Sequence, residues 1–211
     1  LGHHAAQIEQ REAERRVHER GLHVHAQHHP EPDQRRIGAH HRGQDLLRHR
    51  RGVGRAVYSP NGRRIASGSW DKTARIWDSN SGLLASPVLN HAGYVSAIVW
   101  HPDSSALGTA GQDQTIRLWE IPDSSAARLV LHHTGHVRRV NFSADGARIL
   151  TVGSDGFVRV WNAVSGELQH AFQHPDAPTD STFDLSSRQV LTACADGMAR
   201  IWDLASGALL G

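Results

Sequence analysis

The chain has little of what usually announces a chemistry. Its 211 residues include one cysteine, Cys194, so no internal disulfide can form and the redox compartment stays unread. No apolar run approaches the roughly 20 residues that cross a bilayer as a helix, which leaves no membrane span in the visible chain. No secretory signal pattern is visible either, so the cytoplasm is the expected location, although the chain opens at Leu1 rather than Met. There is no Gly-x-Ser-x-Gly elbow and no glycine-rich phosphate loop.

Aromatic residues are missing altogether from the first 45 positions, where nine of the 17 histidines lie. Ala5–Arg20 has helix-forming composition, but only Ile8 and Val17 are strongly apolar within it. Residues 1–44 are therefore expected to be disordered or weakly helical. His23, His25, His28 and His29 have metal-binding chemistry, yet nothing around them supplies a rigid tetrahedral frame. No metal and no cofactor are expected. A further reading of the segment stays open: a GC-rich repeat gene translated out of frame yields this histidine and arginine excess without aromatics. The single lysine, Lys72, against 22 arginines fits such a genome.

Charge divides in the same way. Residues 1–52 hold ten arginines against seven acids, whereas residues 53–211 hold thirteen basic against fourteen acidic residues. The second part lacks the basic stripe that a phosphate backbone requires, so no nucleic-acid partner is expected.

What the chain does have is a repeat. Tyr58–Asp78, YSPNGRRIASGSWDKTARIWD, reads as the end of one strand, a Pro-Asn-Gly turn, a small-residue strand, a second turn, and an alternating strand. The unit returns as WHPDSSALGTAGQDQTIRLWE, FSADGARILTVGSDGFVRVWN and FDLSSRQVLTACADGMARIWD. A histidine stands 28 residues before each closing tryptophan: His49/Trp77, His91/Trp119, His133/Trp161 and His174/Trp202. Asp71, Asp113, Asp155 and Asp196 stand six before it, and Ser67, Thr109, Thr151 and Thr192 ten before it. A period of 41 or 42 residues built from short strands defines a repeat architecture. Cys194 aligns with Ser69, Gly111 and Gly153, so it reads as a small strand residue.

With these residues in place the chain resembles the WD40 repeat family over residues 45–211. The resemblance implies an all-β fold of four consecutive four-stranded antiparallel blades, about 49–90, 91–132, 133–173 and 174–211, the last incomplete. Expected inner strands are Val53–Tyr58, Val95–Trp100, Val137–Phe142 and, weakly, Pro178–Phe183, and expected outer strands run over Leu83–Asn90, Arg128–His132 and Glu167–Gln173. Family rings usually close with about seven or eight blades, so four imply an open propeller with exposed edges and edge-to-edge self-association.

The resemblance also implies that each histidine, hydroxyl, aspartate and tryptophan set forms a buried hydrogen-bonded tetrad. The chemistry suits this. Indole N–H only donates, carboxylate only accepts, and hydroxyl and imidazole link them. A hydroxyl, a histidine and an aspartate also suggest a hydrolase triad. A catalytic set is needed once, whereas this one recurs four times at constant spacing, so the structural role is preferred and no enzyme is expected.

Departures from the family pattern cluster late. Arg48, Asn90, His132 and Gln173 stand where glycine is usual, and Glu120 and Asn162 replace the aspartate after tryptophan. In the fourth unit Pro178 opens the inner strand and Leu185-Ser186-Ser187 replaces the turn, while the tetrad residues are all present.

Family members commonly bind partners on the face carrying the loops before the inner strand and between the second and third strands. Here that points to Arg51, Trp70, Tyr94, Gln112, His136 and Ser154. Trp70 is the unmatched one, its equivalents being Gln, Ser and Ala. The expected function is a non-catalytic scaffold for an unidentified protein partner. The alternatives are a sensor or docking part of a larger enzyme, such as a kinase or protease with its catalytic domain elsewhere, or a gene fragment without function.

Overall fold

The computed structural model describes residues 48–211, and these contain strands and turns without helix. The expectations for residues 1–44 lie outside the described residues. Among the described residues fifteen strands follow one another in four sheets, and within each sheet every strand is antiparallel to the one before it. The first blade is β1 Val53–Tyr58, β2 Arg64–Ser69, β3 Thr73–Asp78 and β4 Leu89–Asn90. The second is β5 Val95–Trp100, β6 Ala106–Gly111, β7 Thr115–Glu120 and β8 Leu129–His132. The third is β9 Val137–Phe142, β10 Arg148–Gly153, β11 Phe157–Asn162 and β12 Leu168–Gln173. The fourth has three strands, β13 Pro178–Phe183, β14 Gln189–Cys194 and β15 Ala199–Asp203, with Leu209 adding a bridge to Trp202.

The strand-forming logic is local. In β3, TARIW, and β11, FVRVW, every second side chain faces the same side, and both sides are needed because a blade is covered on two faces. The turn between the first two strands needs a left-handed residue. Gly62 and Gly146 supply it at φ of 70° and 73°, while Ser104 and Ser187 adopt it at 68° and 55°. The unorthodox Asp184-Leu185-Ser186-Ser187 turn still closes, because the Asp184 carboxylate accepts the N–H groups of Arg188 and Gln189 at 2.7 and 2.8 Å. Pro178 sits at the first position of β13, where a missing N–H does least harm.

One strand is shorter than the sequence suggests. The outer strand expected over Leu83–Asn90 contracts to Leu89–Asn90, with an isolated bridge at Leu84. Ser86-Pro87 interrupts it, since proline cannot donate to the ladder.

Blades stack through their faces. Ala66, Ala74 and Ile76 of the first pack against Val95, Ile98, Trp100 and Leu107 of the second. Ile116 and Leu118 meet Val137, Val140 and Ile149 of the third in the same way. Leu150, Val152, Val158 and Val160 then meet Val190 and Leu204 of the fourth. The core is thus a series of three inter-blade layers. Such a stack grows by addition of units, each supplying half of two layers.

Candidate functional site

In three of the blades the tetrad residues meet. Trp77 Nε1–H donates to Ser67 Oγ at 2.8 Å, Ser67 Oγ lies 2.7 Å from His49 Nε2, and His49 Nδ1 lies 3.0 Å from Asp71. The second blade repeats this with Trp119–Thr109 at 2.7 Å, Thr109–His91 at 2.7 Å and His91–Asp113 at 2.9 Å. The third has Trp161–Thr151 at 2.9 Å, Thr151–His133 at 2.8 Å and His133–Asp155 at 3.1 Å. With the hydroxyl donating to Nε2 and Nδ1–H donating to carboxylate, each buried polar atom in the line has a partner.

The fourth blade departs from the expectation. Trp202 and Thr192 pair at 3.1 Å and Thr192 and His174 at 2.8 Å, but His174 Nδ1 turns to the Phe172 carbonyl at 3.1 Å. Asp196 pairs instead with Arg200, 2.7 Å away. The expected tetrad is therefore a triad with a detached aspartate. The cause is in the chain. In the other blades the aspartate also accepts the N–H of the residue after the histidine: Arg50 at 2.8 Å, Ala92 at 3.0 Å and Thr134 at 3.1 Å. After His174 comes Pro175, which has no N–H to offer.

Two further sets of partners extend each line beyond the four residues of the tetrad. An arginine follows each aspartate by four residues, and Arg117 and Arg159 approach Asp113 and Asp155 at 3.7 and 2.7 Å. Thr73 and Thr115, two residues after, donate to Asp71 and Asp113 at 2.6 and 2.9 Å. The repeated Asp-x-Thr and Asp-x-x-x-Arg spacings were the legible signals. Close packing accompanies them: a Cβ on Gly153 would stand 2.3 Å from both His133 Nδ1 and an Asp155 oxygen.

These contacts set the ionisation states. Burial alone would raise the Asp71 carboxyl, but hydrogen bonds from Thr73, the Arg50 N–H and His49 outweigh it and hold it at about 2. Asp113 and Asp155 are lowered too, again against burial. Burial, with the Arg159 charge beside it, pushes His133 down to about 4, and burial lowers His49 and His174. All three imidazoles are neutral at pH 7.

As a nucleophile the hydroxyl is unsuited. Ser67, Thr109, Thr151 and Thr192 are at most 5% exposed, and each already accepts an indole N–H. A reacting carbonyl has no way to reach them. Among the described residues no group of three His, Cys, Asp or Glu side chains could hold a metal ion. A cleft of about 410 Å³ lies between the second and third blades, but Arg128 in it is already bound to Glu120 and to the Ala163 and Val164 carbonyls.

The loop residues singled out from the sequence lie along one end of the sheets. In each blade the loop before the inner strand bonds the turn after the second strand: Trp70 N–H to Gly52, Gln112 N–H to Tyr94, Ser154 N–H to His136, and Ala195 N–H to Ala177. Arg51, Gln112 and Ser154 are exposed, His136 is half-buried, and Tyr94 is 37% exposed. Trp70 is 56% exposed, yet its ring lies over glycine backbone: a Cβ on Gly52 would stand 3.3 Å from it, and one on Gly54 3.5 Å. The indole is thus packed on one side and open on the other.

Repeated four-stranded blades stacked face to face, with one indole–hydroxyl–imidazole link in each, define a propeller-type repeat protein. The model of the WD domain, G-beta repeat, matches residues 43–78, 85–120, 127–162 and 166–203, and the chain belongs to the WD40 family. Proteins built from these repeats are generally protein-interaction scaffolds and typically non-catalytic. No curated protein matches the chain. Among the described residues no helix is long and apolar enough to cross a membrane.

Proposed function

We propose that the protein is a non-catalytic scaffold that holds a protein partner on the loop face bearing Arg51, Trp70, Tyr94, Gln112, His136 and Ser154. Trp70 carries the reading. It is the largest open side chain on that face, and the glycines beneath it hold its indole in one orientation before any partner arrives. A large aromatic already ordered on binding keeps most of its contact energy. The near balance of basic and acidic residues over 53–211 favours a protein partner over nucleic acid.

The test is affinity capture from cells with the full chain, comparing wild type with Trp70→Ala, Tyr94→Ala and, on a turn at the opposite end of the sheets, Leu185→Ala. A specific partner is expected to fall at least tenfold with Trp70→Ala and to be retained with Leu185→Ala. Partners that survive both Trp70→Ala and Tyr94→Ala unchanged would place the interface elsewhere.

A further inference from the structure

The two ends of the arc are the two halves of one inter-blade layer. On the far face of the fourth blade, Leu191 and Ile201 are 44% and 39% exposed. Their equivalents one blade earlier, Leu150 and Val160, are fully buried against the fourth blade. On the near face of the first blade, Val53 and Tyr58 are 52% and 47% exposed. Their equivalents Val95 and Trp100 are 0% and 5% exposed, in the layer beneath the second blade. Strand edges do not distinguish the ends, because β1, β5, β9 and β13 all lie at the border of their sheets. The faces do.

We propose that these two faces meet in a second copy of this chain, the fourth blade of one stacking on the first blade of the other. The contact continues a packing mode that the chain already makes three times within itself. Charge matches as well. Arg139 and Asp180 hold the third position of neighbouring inner strands and approach to 3.7 Å. The next pair in that row, across the contact, is Asp180 and Arg55, again of opposite sign. The Trp100 indole donates to the Val57 carbonyl of the preceding blade at 3.3 Å. Tyr58 takes that place in the first blade, with its hydroxyl as donor toward the Thr182 carbonyl of the second copy. The contact is head to tail, and it closes with two copies because two four-blade arcs supply the eight blades at which such rings close.

Light scattering on the full chain tests this. Wild type is expected at twice the 23.2 kDa chain mass at micromolar concentration. Leu191→Asp with Ile201→Asp, or Val53→Asp with Tyr58→Asp, each changes only exposed positions and is expected to run as a monomer with native near-ultraviolet circular dichroism. Mixing the two variants restores one good contact and returns a dimer. Arg55→Glu is expected to weaken the wild-type dimer at least tenfold. A monomeric wild type, growth past two copies, dimers of either variant alone, or no dimer on mixing would overturn the proposal. Dimers of the Val53/Tyr58 variant alone would mean tail-to-tail pairing instead.

Discussion

Asp196 is bound by Arg200 and not by His174, the one place where the repeated hydrogen-bond line is cut. Asp113 and Asp155 keep both their histidine and their arginine, Asp155 with His133 and Arg159 at 3.1 and 2.7 Å. What Asp196 lacks is the backbone donor that Pro175 removes. The fourth blade is also the one with three strands and an uncovered face, so its weaknesses coincide.

That difference predicts unequal costs for the same substitution. Asp113→Asn removes a charged acceptor from His91, Thr115 and the Ala92 N–H, and should cost about 1–3 kcal/mol in denaturant unfolding. Asp196→Asn should leave stability nearly unchanged. In a Pro175→Ala background, which restores an N–H, Asp196→Asn should become costly. A double-mutant cycle reads that coupling directly. Equal losses for Asp113→Asn and Asp196→Asn in the parent chain would refute the account.

The tryptophans divide in the same manner. Trp119 is 5% exposed and donates to Thr109, so Trp119→Ala should destabilise the domain by roughly 3–5 kcal/mol, from lost packing and a stranded hydroxyl. Trp70→Ala should cost under about 1 kcal/mol. Urea titration of both variants measures the difference. Similar midpoints would show that the wrong indole has been assigned to the core.

Stability should fall on the acid side in two stages. His133 is lowered to about 4 from an ordinary value near 6.5, so the unfolded chain binds the proton more readily and stability rises with pH through that interval. His133's share is complete above about 6.5 and is lost as pH falls toward 4. His49 and His174, also lowered, act in the same direction. Asp71, lowered to about 2, keeps its contribution above its unfolded value near 4 and loses it as pH falls through 2. Thermal melts from pH 7.5 to 5 should therefore decline before any carboxylate titrates. His133→Gln should flatten that early slope, and an unchanged slope would assign it to other groups.

Much of this molecule was legible in one dimension. The repeat placed all four inner strands, from Val53–Tyr58 to Pro178–Phe183, at their observed bounds, because register in an antiparallel ladder follows from pattern and turn length. The 28-, ten- and six-residue spacings named the side chains of each hydrogen-bond line, because equal spacing in equal strands puts equal residues on the same rung. Even the fourth-blade failure was written in the chain, as a proline after the histidine. The side-chain spacings are intact in that blade, so only the missing backbone N–H marks it.

Other features had no one-dimensional counterpart. Trp70 stands out in the chain only as the unmatched residue of its turn; in the fold Gly52 and Gly54, just before and within β1, give one side of its ring a shelf and leave the other side open. Leu191 and Leu150 occupy the same repeat position with the same side chain, yet one is 44% exposed and the other fully buried. Sequence determined what each blade is made of. Only the stacking of blades decided which faces are covered, because burial belongs to a neighbour and not to the residue.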